Sequence, residues 1–123
     1  STFNSGMHYR SVVIFGKASL VVDDQKDAAL NALSDAMIPG RVREVRASTK
    51  KELAATIIVS LPLDECSVKI SVNEVDDDEQ DLNKGTWAGI VPFITTIGEP
   101  IPADEEAASL VVPLSVRNLR KHS

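Results

Sequence analysis

A chain of 123 residues with 43% hydrophobic residues and a formal net charge of −5 holds one ordinary domain with a real core, which argues against wholesale disorder. A single cysteine, Cys66, excludes an intrachain disulfide framework and a thiolate metal site built within one chain. No basic cluster is dense enough for a nucleic-acid surface, no apolar run reaches a membrane span and no signal peptide is evident, so a soluble cytoplasmic protein is expected.

Val, Ile, Ala and Leu dominate the apolar residues, a β-branched bias that favours strands. The first long strand is expected over residues 8–22. Val13 and Phe15 fall on one face and Val12 and Ile14 on the other, and Gly16 marks a bend or bulge. A helix is expected over residues 24–37, with Asp24 as N-cap and Leu30, Leu33 and Met37 as its apolar stripe. Pro39-Gly40 ends it. Thr49 and Glu52 have the spacing of a capping box for a short helix. Further strands are expected over residues 54–62, 67–72 and 88–97. The acidic run from Asp76 to Asp81 reads as a solvated loop, because it lacks the glycine and terminal glutamate of a calcium loop. The fold class is therefore mainly β with helical insertions (α+β), and no glycine-rich strand-to-helix turn supports a Rossmann or P-loop site.

Arg10 can hold an anion and Ser11 can hydrogen-bond a flat heterocycle, although a surface ion pair and a strand-end serine are the commoner roles of such residues. Trp87, between Gly85 and Gly89, can wall in a planar ring or cap a core. Arg41, Arg43 and Arg46 can supply charge to a phosphate or form local pairs with Glu44. Lys69 reads as a surface lysine and Cys66 as a structural or partly exposed thiol. His8 is a site candidate through its nearness to Arg10, whereas His122 lies in the terminal residues.

The segment Met7-His8-Tyr9-Arg10-Ser11-Val12-Val13-Ile14-Phe15-Gly16-Lys17-Ala18 resembles the cofactor strand of pyridoxamine 5′-phosphate oxidase-like proteins. The resemblance continues in order through Ile38-Pro39-Gly40-Arg41, Lys51-Glu52-Leu53-Ala54-Ala55-Thr56, Leu61-Pro62-Leu63-Asp64-Glu65, Val68-Lys69 and Trp87-Ala88-Gly89-Ile90-Val91-Pro92. It is nearest to the nitroimidazole-resistance-type branch. His8 departs from the branch's usual Asn, and Ser71 stands where Arg is common. The resemblance implies an FMN-binding split β-barrel that dimerises. Residues 1–123 would form a single split-barrel domain, the C-terminal part of the family domain, incomplete at the N-terminus because the family's first strands, with their phosphate clamp, lie outside this sequence.

The resemblance further implies FMN as cofactor, with haem or a deazaflavin ranking below it. Arg10, Ser11, Trp87 and His8 are the expected cofactor-binding residues; no catalytic residue is assigned, and no metal site is expected. The implied function is a flavin-dependent oxidoreductase reducing a small aromatic, nitro or quinone-type substrate, as a homodimer. The oxidases' C-terminal Arg-x-His element is not found after Gly98, which argues against pyridoxamine phosphate oxidation itself. The alternative is a non-catalytic cofactor-binding module or truncated remnant.

Overall fold

The computed structural model describes residues 2–81 and 84–120. His122, singled out in the sequence, lies outside them. The chain folds as a small mixed α/β structure with two compact units, Ser1–Lys17 with Leu61–Ile94 and Ala18–Ser60 with Thr95–Ser123.

The first unit is built on two antiparallel strands, β1 (Arg10–Phe15) and β4 (Glu65–Ile70). Their register pairs Arg10 with Ile70, Val12 with Val68 and Ile14 with Cys66. Because side chains alternate, these six share one face, and Ser11, Val13, Phe15, Glu65, Ser67 and Lys69 share the other. The ladder is extended by the Ser71 N–H donating to the Tyr9 carbonyl at 2.9 Å. β1 stops at Phe15, and a bend at Gly16 follows as the sequence suggests. A Cβ there would stand 3.3 Å from Leu61 Cδ1, so the close passage of the chain favours glycine.

The second unit contains β2 (Ser19–Leu20), α1 (Asp23–Met37), a 3₁₀ turn (Arg41–Arg43), α2 (Lys50–Ala54), β3 (Val59–Ser60), α3 (Glu105–Ser109) and α4 (Leu114–Leu119). β2 and β3 pair antiparallel, Ser19 with Ser60 and Leu20 with Val59. The capping box is present in full. Thr49 Oγ1 accepts from the Glu52 N–H at 3.2 Å, and Glu52 Oε2 accepts from the Thr49 N–H at 2.8 Å. Arg46 grips the same carboxylate at 2.6 and 3.0 Å. These bonds, with Arg46 the largest cause, hold the Glu52 pKa down at about 2 against an ordinary 4.5.

Several sequence expectations change. α1 starts one residue early, with Val22 at the N-cap and no side-chain cap; Asp23 and Asp24 sit in the first turn, where they face the positive end of the dipole. The expected stripe is covered only in part. Leu30 is half-buried but Leu33 and Met37 are exposed, and the most covered position of α1 is Lys26. Lys26 is only 9% exposed because its ammonium is satisfied twice, by the Leu53 carbonyl at 3.1 Å and by Asp23 at 3.2 Å. At the far end, Asp35 Oδ1 accepts from the Gly40 and Val42 N–H groups at 3.2 and 3.4 Å, and Gly40 takes a left-handed φ of 87° that suits glycine.

The strand expected over 54–62 shrinks to β3, since α2 runs to Ala54 and only Val59–Ser60 finds a partner. That over 8–22 divides into β1 and β2. No ladder forms over 88–97. Ile90, Val91, Phe93 and Ile94 there are exposed, and strand propensity yields a strand only where a neighbour supplies hydrogen bonds. No hydrophobic side chain is buried among the described residues.

Within the second unit, α4 is anchored to the 3₁₀ turn by Ser115, which is 3% exposed. Its N–H donates to Glu44 Oε1 at 3.0 Å and its hydroxyl to Glu44 Oε2 at 2.6 Å. These bonds, with Arg41 at 3.3 Å, lower the Glu44 pKa.

Candidate functional site

A cavity of about 920 Å³ lies wholly within the first unit. Three stretches build it: residues 2–8 ahead of β1, residues 73–77 after β4, and residues 86–93. The first two are joined by Asn4 Nδ2, which donates to Asp77 Oδ1 at 2.8 Å. That bond is the largest cause of the lowered Asp77 pKa. Asp77 is therefore tied to the segment ahead of β1, while Asp76, Asp78 and Glu79 are exposed, as expected of a solvated loop.

Trp87 is 75% exposed and presents its ring to this cavity's surroundings. Gly89 explains how. A Cβ at position 89 would lie 2.6 Å from Trp87 Cζ2 and 2.8 Å from Cη2, so the indole folds back over a backbone that has no side chain. Phe93, Val91 and Ile90 add apolar surface, while Asn4, His8 and Asn73 add polar groups. An exposed indole flanked by aliphatic side chains and a few hydrogen-bonding groups is chemically suited to a planar heterocycle. The lining does not suit an anion. It contains Glu74, Asp76 and Asp77 and no Arg or Lys.

The structure thus brings His8 and Trp87 to one cavity and leaves Arg10 and Ser11 outside its lining. As neighbours on β1, Arg10 and Ser11 project to opposite faces of the sheet. A ligand meeting both would have to reach around the N-terminal end of β1. Ser11 shares its face with Lys69, whose ammonium lies 4.9 Å from the centre of the Tyr9 ring. Lys69 is therefore engaged in a cation–π contact. Asn4, Asn73 and Phe93 escaped the sequence reading. Neither periodicity nor motif spacing marks them, and only the meeting of three separate stretches makes them neighbours.

Of the arginines in the second unit, Arg41 pairs with Glu44 and Arg46 with Glu52, the local pairing that the sequence offered as the commoner role. Cys66 is a free, exposed thiol. Among the described residues, no group of three His, Cys, Asp or Glu side chains is placed to hold a metal ion, and no helix is long and apolar enough to cross a membrane.

Comparisons with known proteins bear on this geometry. A family model described as pyridoxamine 5′-phosphate oxidase matches residues 1–70. No curated protein sequence matches the chain. Among solved structures, the chain is similar to the FAD and haem binding protein from Mycobacterium smegmatis, at 44% identity and a TM-score of 0.92. It is also similar to the flavocytochrome Anf3 from Azotobacter vinelandii, at 30% identity and a TM-score of 0.87. Both similarities cover 98% of this chain but only 60% and 56% of those chains, so the chain spans less than two thirds of either protein. The Trp87 element lies beyond the family match but within a fold shared with both structures. With more than half its residues matched, the chain belongs to the pyridoxamine 5′-phosphate oxidase family.

Proposed function

We propose that the chain is the ring-binding part of a flavin-dependent oxidoreductase. One observation carries the reading: the cavity beside Trp87 joins an exposed indole to aliphatic and hydrogen-bonding groups, a lining suited to a planar heterocycle, in a chain of this family. Its resemblance to two flavoproteins supports it. A bound flavin would supply the redox chemistry. The chain's own part is to place and orient the ring. Trp87 would lie against the ring and His8 would offer a hydrogen bond to its polar edge, while Ser11 and Arg10, outside the cavity lining, would meet the part of the ligand that leaves the cavity beside β1, Arg10 taking negative charge. The cavity's acidic lining makes it unsuited to the phosphate, which on this reading is held by groups outside the cavity.

Within that reading, the flavin is FMN and the fold a split β-barrel to which residues 1–123 contribute as one domain. The assembly is a homodimer in the cytoplasm. The substrate is a small aromatic, nitro or quinone-type molecule, in keeping with the nitroimidazole-resistance-type motifs. Titration of the purified protein with FMN and with FAD, followed by flavin fluorescence quenching and the visible spectrum, tests the core of it. Saturable quenching by FMN, tighter than by FAD, is the expected result. FAD binding more tightly would overturn the choice of FMN, and no uptake of either would overturn the flavin reading.

A second reading has its own support. One similar structure is described as an FAD and haem binding protein and the other as a flavocytochrome, and His8 places an imidazole in the cavity where the branch usually has Asn. Haem binding through His8 predicts a Soret band on addition of hemin, shifted or lost in His8→Ala. An unchanged band in that variant removes His8 from the role.

A further inference from the structure

A second cavity, about 410 Å³ and open to solvent, lies wholly within the second unit, between α1 and the segment that follows it. Leu30, Val42 and Val45 make the apolar part of its lining, and Arg41 and Arg46 bring two positive charges. No carboxylate lines it. The two partner carboxylates stand outside the lining. Glu44 takes one Arg41 Nη1 bond at 3.3 Å, and Glu52 takes Arg46 through Nη1 and Nη2 at 3.0 and 2.6 Å. Arg46 Nη1 also donates to the Ala47 carbonyl at 3.0 Å. Each guanidinium is thereby held in place and still keeps some of the N–H donors of its rigid fork uncommitted. Ser34 and Ser48 add hydroxyls, neither engaged in a side-chain hydrogen bond among the described residues.

Ion pairing alone accounts for the arginines but not for an apolar hollow between them with idle hydroxyls beside it. Two preset guanidiniums next to aliphatic side chains match a ligand that is anionic at one end and apolar at the other. We propose that this cavity binds an organic phosphate monoester, with Arg41 and Arg46 on the phosphate, Ser34 and Ser48 as neutral donors, and Leu30, Val42 and Val45 against the organic part. The assignment concerns residues other than those given to the flavin ring, in the other unit.

The test is isothermal titration of the protein with 5′-AMP. Saturable binding is expected, displaced by inorganic phosphate. Arg41→Gln and Arg46→Gln should each weaken it about tenfold or more, the loss of one charged hydrogen bond. Arg43→Gln removes the same charge from an exposed neighbour that does not line the cavity, and should leave the affinity within about twofold, far short of the tenfold expected for a charged contact. Because Arg46→Gln also breaks the pair with Glu52, Ser34→Ala provides a variant that keeps both ion pairs; a loss of about fivefold is expected there. Absence of saturation at millimolar 5′-AMP, or an Arg43→Gln loss as large as that of Arg41→Gln, overturns the proposal.

Discussion

At the scale of single residues, the expected contacts differ in chemistry and hence in size. Arg10 would make a charged hydrogen bond, worth about 1.5–3 kcal/mol, so Arg10→Ala should weaken flavin binding about tenfold or more. Ser11→Ala removes a neutral bond of about 1 kcal/mol and should cost about fivefold. Trp87→Ala removes the stacking surface. Fluorescence titration checks all three, and parent-like affinity in both Arg10→Ala and Trp87→Ala would make these residues structural. Gly89 offers a separate check on the geometry. The 2.6 Å approach of the indole leaves no room for a methyl group, so Gly89→Ala must displace Trp87. A shift in emission maximum is expected, readable without any cofactor because Trp87 is the chain's one tryptophan.

At the scale of elements, α2 is the clearest case of local sequence deciding structure. It has five residues, too short to persist on propensity alone, and its ends are held by side chains. Thr49→Ala should lower stability by about 0.5–2 kcal/mol, seen as a lower Tm. Glu52 adds a pH dependence of definite sign. Its folded-state pKa of about 2 lies below the ordinary 4.5, so its contribution is fully present above pH 4.5 and is lost as the pH falls through 2. Thermal melts from pH 6 down to pH 2 should show that loss for the parent and a flatter profile for Glu52→Gln. α1 shows the converse. Its period was legible, but which positions are covered was not, because Lys26 found two oxygen partners that bury a charge, whereas Leu33 and Met37 stay exposed.

At the scale of the whole molecule, the apolar residues stand out. Phe93 is 95% exposed, the faces of β1 and β4 carry exposed Val12, Phe15 and Val68, and no hydrophobic side chain of the described residues is buried. Apolar surface on this scale calls for cover, and strands with open edges call for pairing. We therefore expect the purified protein to run as a homodimer in light scattering at micromolar concentration, with β1 near the contact. A monomeric mass would count against it.

Taken alone, the sequence determined whatever depends on neighbours along the chain. The capping box, the end of α1 at Pro39-Gly40, the bend at Gly16 and the two-faced pattern of β1 each follow from steric or hydrogen-bonding rules that act within a few residues. The ordered motifs were specific enough to indicate the family, because chance rarely reproduces several pieces at the right separations. Tertiary structure alone decided which propensities were realised. The apolar stretch over 88–97 has the composition of a strand and makes none, since a ladder needs a second chain segment. Arg10 and Ser11, adjacent in sequence, are parted by strand alternation, whereas Asn4, Asn73 and Phe93, remote in sequence, line one cavity. A binding surface is a property of which distant segments meet, and local physics does not carry that information.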